Sequence, residues 1–220
     1  MENYQRYAVY YAPRAGAFAD RSRGWLAGTA KVPGLDLGQR DITSDPRRYG
    51  FHGTLRAPFR PGDGVDAGAI ALHVGALATT LKPVRCDSLE LVDLEGFLAL
   101  VPTGAPAALL EFAARVVEAT DVLRAPLTEA EIARRHPESL TPRQRALLQV
   151  WGYPFVMEEF RFHLTLTNRL LEPDIAPTRA ALAAYFTPVL PVPFEIEDLC
   201  LFGEDAGGRF HLLDRYALTG

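Results

Sequence analysis

Two cysteines in 220 residues are too few to staple a fold. Cys86 and Cys200 give neither a disulfide framework nor a metal-ligand cluster, and both lie in apolar stretches where a buried reduced thiol is expected. Positive charge is also short. Lys and Arg number 23 against 27 Asp and Glu, a net charge of −4, whereas proteins that grip long nucleic acid by its phosphates carry a basic face. Long RNA or DNA is therefore disfavoured as a partner, although a local basic cleft is compatible with the total. No window approaches the roughly 18 unbroken apolar residues of a membrane span. The first residues, MENYQRYAVYYAPRAG, place charge where a secretion signal has its apolar core. The expectation is a cytoplasmic protein with no membrane contact. What remains, 48% apolar and 23% charged residues, is the composition of a well-packed soluble chain. Its length suits one large domain or two small lobes sharing a core.

The pattern along the chain mixes strands and helices. RYAVYYAP (6–13) has the content of a strand, 17–30 reads as a short helix, and 31–50 is rich in Gly, Pro and Asp and reads as loop. The strand GFHGTLRAPF follows, then a helix over about 66–81 and two strands within 84–101 that turn near Asp93–Gly96. Residues 105–123 form an amphipathic helix. Thr128 with Glu131, and Thr141 with Pro142 and Gln144, have the capping-box spacing of two further helix starts. A second histidine-bearing strand spans 158–171, a helix covers roughly 177–186, and 193–218 closes the chain as a β-hairpin.

The two histidine strands repeat. FHGTL (51–55) returns as FHLTL (162–166), Pro83-Val84 as Pro193-Phe194, and LEL (89–91) as LCL (199–201), with the spacing between copies held within one residue. Each half runs histidine strand, helix, strand, hairpin. The reading is a duplication: an α+β chain of two similar lobes, each an antiparallel sheet with helices, related by a pseudo-twofold axis around a central cleft. It is one domain over 1–220, with lobe one over 1–104, a helical insertion over 121–158 and lobe two over 159–220.

Alternate residues of a strand share a face. His52 and Thr54 therefore point one way, as do His163 and Thr165, with Arg56 in the first copy and Arg161 and Thr167 in the second continuing the polar face. Across a twofold axis these faces enclose two imidazoles, two hydroxyls and guanidinium charge. With an ordinary pKa near 6.5, one imidazole can take a proton while the other gives one. Opening a phosphodiester needs both acts, and hydroxyl and guanidinium groups suit its non-bridging oxygens. The scheme calls for no metal and no cofactor.

With HGTL (52–55) and HLTL (163–166) in view, the chain resembles the 2H phosphoesterases, whose signature is two His-x-Thr/Ser-apolar motifs in a duplicated α+β fold. The resemblance implies acid–base roles for His52 and His163 on cyclic phosphodiesters, and phosphate contacts from Thr54 and Thr165. RRYGFHGTLRAPF (47–59) and WGYPF with FRFHLTLTNRL (151–155, 160–170) are similar to the subgroup of phosphonate metabolism proteins found beside carbon–phosphorus lyase genes. That implies a ribosyl cyclic phosphate as substrate. The segment 121–158 departs from the minimal layout and is a candidate lid.

A single His-x-Thr-Leu is worthless as evidence; two in register carry the weight. Arg56 and Arg161 are candidate phosphate ligands, set against ordinary surface ion pairs. Tyr49, Trp151 and Tyr153 are candidate cleft-lining residues, Tyr49 set against a loop anchor and the other two against core packing. His73, His136 and His211 fall outside the repeat and are read as non-catalytic. Two alternatives stand beside a cyclic phosphodiesterase: processing of RNA ends with 2′,3′-cyclic or 2′–5′ linkages, and a module that binds a nucleotide or phosphosugar without turning it over.

Overall fold

Six residues with apolar and aromatic side chains dominating, Arg6–Tyr11, make β1. It lies near the middle of a seven-stranded sheet of order β4-β5-β6-β2-β1-β8-β9. The computed structural model describes residues 4–35 and 40–220. The other strands of this sheet are β2 (Gly53–Phe59), β4 (Ser88–Leu94), β5 (Phe97–Thr103), β6 (Leu164–Thr165), β8 (Asp198–Glu204) and β9 (Phe210–Ala217). Every pairing in it is antiparallel. A separate ribbon joins β3 (Val84–Cys86) to β7 (Phe194–Ile196).

The helices are α1 (Ala17–Leu26), α2 (Ser44–Tyr49), α3 (Ala67–Ala78), α4 (Pro106–Thr120), α5 (Glu129–Ala133), α6 (Pro142–Trp151) and α7 (Glu172–Phe186). On one side of the sheet α3 packs over β8 and β9, α4 over β2, and α7 over β4 and β5. Between them lies the main core, with Val9, Leu55, Leu98, Leu100, Leu164, Leu166, Leu199 and Leu201 buried. The other side carries a smaller cluster, Ala8, Tyr10, Cys200, Phe202 and Phe210, against which Tyr49 packs. The period of two thus splits β1 between two environments: Val9 faces the helices and Tyr10 the opposite surface.

The order strand, helix, short strand, hairpin occurs twice, as β2-α3-β3-β4-β5 and as β6-α7-β7-β8-β9. The first hairpin lies beside β6, from the other half, and the second beside β1.

Four sequence expectations change. Residues 44–49 are helical because Pro46 falls in the first turn, where its missing N–H costs nothing. Asn168 from far along the chain also accepts from the Asp45 N–H and donates to Ser44. The stretch 84–103 holds three strands. The chain breaks at Asp87 to change partners, from β7 to the β4–β5 hairpin, and Gly104 leaves room for the Asp87 carboxylate where a Cβ would stand. The second histidine strand shrinks to Leu164–Thr165, since the N–H groups of both Leu166 and Thr167 turn to the Leu98 carbonyl. The helix expected from 177 begins at Glu172, with Pro173 in its first turn. Both capping boxes form, at Thr128 and Thr141. Among the described residues no helix is long and apolar enough to cross a membrane.

Candidate functional site

The two arms of the sheet meet at one bridge, Gly53↔Leu164. Each of these residues sits between the His and Thr of its own motif, so counting outward in antiparallel register sets His52 beside Thr165 and Thr54 beside His163. Glycine at 53 has a local reason. A Cβ there would stand 2.2 Å from Cζ of Phe162, whose ring lies across the strand on the core side. A bare Cα lets β6 approach β2 closely, and β6 is held from its other side by Ala99↔Thr165 and Leu100↔Leu164. Trp25 adds a hydrogen bond from Nε1 to the Leu166 carbonyl, at 2.8 Å.

The imidazoles are held the same way twice. His52 Nδ1 lies 2.9 Å from the Gly50 carbonyl and His163 Nδ1 lies 2.7 Å from the Arg161 carbonyl, each acceptor two residues upstream. A carbonyl only accepts, so Nδ1 holds the proton in both rings and Nε2 is the nitrogen left for chemistry. Nε2 of His52 is 3.3 Å from Thr54 Oγ1. Tyr10 stacks beneath this ring at 4.0 Å and 29°, while Phe97 meets His163 at 5.8 Å and 57°. Desolvation drives the His52 pKa down to about 4; the Gly50 carbonyl opposes this and the nearby charge of His163 adds to it. Burial also lowers the His163 pKa, against the Arg161 carbonyl. Both rings are therefore neutral at pH 7, and a proton shared between them favours His163.

Two adjoining hollows open at this junction. The first, ≈ 370 Å³, is lined by His52, Thr54 and Thr165, with Tyr49 and Tyr153 among its walls. The second, ≈ 590 Å³, is lined by His163 and Arg161. Thr54, Ala57, Phe97 and Tyr153 border both. The expected pair of motifs is thus brought together, with Tyr49 and Tyr153 beside it.

Arg56 and Trp151 do not join them. In the pairing of β1 with β2, Tyr10 faces Thr54 and Val9 faces Arg56, so Leu55 is an extra residue on β2. This bulge resets the alternation: Ala57, not Arg56, continues the lining, and Arg56 is 2% exposed, turned away to Asp121 at 3.1 Å and the Trp151 carbonyl at 3.2 Å. Trp151 packs against the cluster of Val117, Leu147 and Val156. Thr167 uses its hydroxyl to accept from the Leu98 N–H, at 2.9 Å. His73 donates from Nε2 to the Ala119 carbonyl, tying α3 to α4, and His136 and His211 pair with Glu138 and Asp205 outside the hollows.

Residues 121–158 form one wall of both hollows, through Arg135 and Tyr153 on the first and Ser139, Leu140 and Gln144 on the second. Arginines stitch this wall to β2. Arg56 reaches Asp121 and the Trp151 carbonyl, and Arg60, next after β2, holds Glu131 at 2.9 Å and the Pro126 carbonyl at 2.7 Å, while within the wall Arg124 bonds Asp121 and the Val150 carbonyl.

A family model described as "Protein of unknown function (DUF1045)" matches residues 54–211, a span that includes the second motif. The chain belongs to this family. The DUF1045 chain is 36% identical to a ribose 1,5-bisphosphate phosphokinase PhnN of Janthinobacterium sp. (strain Marseille), over 94% of its own length and 49% of the relative's. It is 35% identical to a protein of the same name from Laribacter hongkongensis (strain HLHK9), over 94% and 50%. It therefore spans about half the length of these curated relatives. Among solved structures, E. coli LigT complexed with NADP+ aligns over 100% of both chains at 16% identity and a TM-score of 0.49. A structure described as a phosphoesterase aligns over 98% of this chain and 99% of its own at 18% identity and 0.47.

Sequence reading missed Tyr10, Phe97 and three arginines, Arg6, Arg135 and Arg169, that line the first hollow. Tyr10 had a signal in the alternation of β1. Arg6 shares that signal, two pairs of residues before Tyr10 on the same strand; Phe97, Arg135 and Arg169 arrive from hairpin, helix end and loop, and only the fold unites them.

Proposed function

We propose that this protein is a phosphodiesterase that opens a small cyclic phosphodiester, a ribosyl cyclic phosphate of phosphonate metabolism being the substrate favoured. The reading rests on one observation: the Gly53↔Leu164 bridge sets two imidazoles on adjacent strands, each with Nδ1 committed to a carbonyl. Two Nε2 atoms left outside the backbone bonds, with the hydroxyls of Thr54 and Thr165 in register beside them, are what a ring-opening hydrolysis requires.

In this scheme Nε2 of one neutral imidazole takes a proton from water as the water oxygen attacks phosphorus. The other imidazole, protonated, gives its proton to the ring oxygen as the P–O bond breaks. The product is a phosphomonoester with a free hydroxyl. Thr54 and Thr165 donate to the non-bridging oxygens. Because His52 is the more strongly held in its neutral form, it is assigned as base and His163 as acid. The bound phosphodiester anion raises both proton affinities and charges His163 first. Metal-independence and the sugar scaffold are part of the proposal; the relatives named for ribose 1,5-bisphosphate support a phosphosugar.

RNA-end processing draws less support. The second hollow is lined by Asp93, Glu95 and Glu159 against Arg161, and a phosphate chain crossing it would need the opposite sign.

Phosphorus NMR of the protein with EDTA, offered ribose 1,2-cyclic phosphate and nucleoside 2′,3′-cyclic phosphates, tests the proposal. A phosphomonoester is expected from at least one of them. Stoichiometric binding with no product from the whole panel would convert the reading to a binding module.

A further inference from the structure

The two hollows differ in charge. The second is lined by three carboxylates and one guanidinium; the first is lined by Arg6, Arg135 and Arg169 against Asp45. Arg6 is already neutralised by the buried Glu204. Arg135 and Arg169 have no carboxylate partner among the described residues. Arg135 reaches in from just beyond α5, half-buried, with its guanidinium carbon 4.8 Å from the centroid of Tyr153. Arg169, four residues after Thr165, lies against the β4–β5 turn, where its Nη1 would be 3.2 Å from a Cβ on Gly96. Two guanidiniums free to bind thus border the cavity that holds His52 and Thr165. One of them rests on an aromatic face, which orients it without consuming its donors.

A cyclic phosphodiester carries one negative charge and is already provided with two threonines and two histidines. We propose that Arg135 and Arg169 form a second anion subsite, which recognises a phosphomonoester carried by the substrate at a distance from its cyclic ester. This rests on the phosphodiesterase reading and narrows it. The substrate is a pentose-sized sugar bearing both a cyclic phosphodiester and a terminal phosphate, small enough for a hollow of ≈ 370 Å³. The three terminal oxygens of a phosphomonoester accept paired N–H groups from planar guanidiniums, and a hydroxyl in their place leaves both arginines unanswered. The stretch 121–158 thereby gains a role in recognition, because it delivers Arg135 and the Tyr153 ring behind it.

The test compares kcat/KM for ribose 1,2-cyclic phosphate with that for its 5-phosphate, and repeats the pair with nucleoside 2′,3′-cyclic phosphates with and without a 5′-phosphate. Each charge-assisted contact is worth roughly tenfold or more. The ribosyl 5-phosphate is therefore expected to be preferred by about 100-fold. The doubly substituted protein, Arg135→Gln with Arg169→Gln, should lose most of that preference, and Arg169→Lys should keep part of it. A wild-type ratio near one, or a ratio the double substitution leaves in place, overturns the subsite and leaves the phosphodiesterase reading standing. A preference confined to the nucleotide pair overturns the pentose-sized scaffold. Calorimetric titration with ribose 5-phosphate needs no turnover: it is expected to bind wild type at least about tenfold more tightly than the double variant. If that holds while no cyclic ester is opened, the subsite survives and the phosphodiesterase reading falls. If ribose 5-phosphate does not bind wild type, the subsite is overturned whatever the kinetics show.

Discussion

The two His-x-Thr strands share a sequence and differ in nearly everything around it. β2 runs for seven residues between two neighbours, whereas β6 is two residues long and leaves the sheet at once. His52 is stacked on Tyr10 and driven down to a pKa of about 4; His163 meets the ring of Phe97 at a tilt, and burial lowers it without taking it as far. Yet both rings bond the carbonyl two residues upstream. The repeated motif settles tautomer and aim; the unrepeated surroundings settle which ring holds the proton. In the proposed scheme this difference biases a single proton toward His163 and so assigns acid and base.

Removing either ring is the hardest test. His52→Ala and His163→Ala should each lower kcat on a cyclic phosphodiester by roughly 10²–10⁴-fold, the range for lost acid–base catalysis. Steady-state kinetics with matched thermal midpoints would show it, and near-full activity in either variant would end the two-imidazole scheme.

Gly53→Ala probes the junction and not the chemistry. A methyl at 2.2 Å from Phe162 must push either that ring or the strand aside, at a cost of about 1–3 kcal/mol for overpacking. The shift acts on the bridge that sets His163 against Thr54, so kcat/KM should fall roughly 10- to 100-fold with every catalytic group still present. Unaltered kinetics would mean that the close approach of β6 to β2 does not matter to the site.

The pH profile sharpens the comparison further. As base, His52 works when neutral, so activity is lost as pH falls through about 4. As acid, His163 works when protonated, and its lowered pKa means activity is lost as pH rises through a point below 6.5. The kcat/KM profile, which reports the free protein, should be a bell with its maximum acid of pH 6.5. Stability follows the same ring on the acid side. An unfolded His52 takes its proton near 6.5 and the folded one only near 4, so the native state weakens as pH falls through that window. A kcat/KM that continues to climb above pH 7 would mean that neither ring has to be protonated in the free protein, and would remove the imidazole acid from the scheme.

The site was legible in the sequence as far as local chemistry reaches. Two motifs at a fixed offset pointed to His52, Thr54, His163 and Thr165, and strand alternation gave their common face. Helix starts at Thr128 and Thr141 were readable because a capping box is a four-residue device. What could not be read depends on distant partners. The helix at Ser44–Tyr49 is tied down by Asn168, β6 ends because Leu98 draws away its N–H groups, and the walls of the first hollow come from widely separated parts of the chain, from Arg6 to Arg169.

Arg56 is the smallest effect and the one that separates sequence from structure most cleanly. Unbroken alternation makes it a phosphate ligand two residues beyond Thr54; the bulge at Leu55 makes it a buried tie between β2 and the wall that begins at Asp121. Burial lowers its pKa to about 10, with Asp121 opposing that fall, so it stays charged at neutral pH. Arg56→Met keeps the length and drops the charge. Asp121 still pairs with Arg124 at 2.6 Å, so no carboxylate is stranded and the expected cost is only about 1–2 kcal/mol. Calorimetric melting should therefore show a modest drop in midpoint while KM for a cyclic phosphodiester changes by less than about twofold. A ligand to the phosphate would behave the other way, raising KM by roughly tenfold or more for a lost charge-assisted bond.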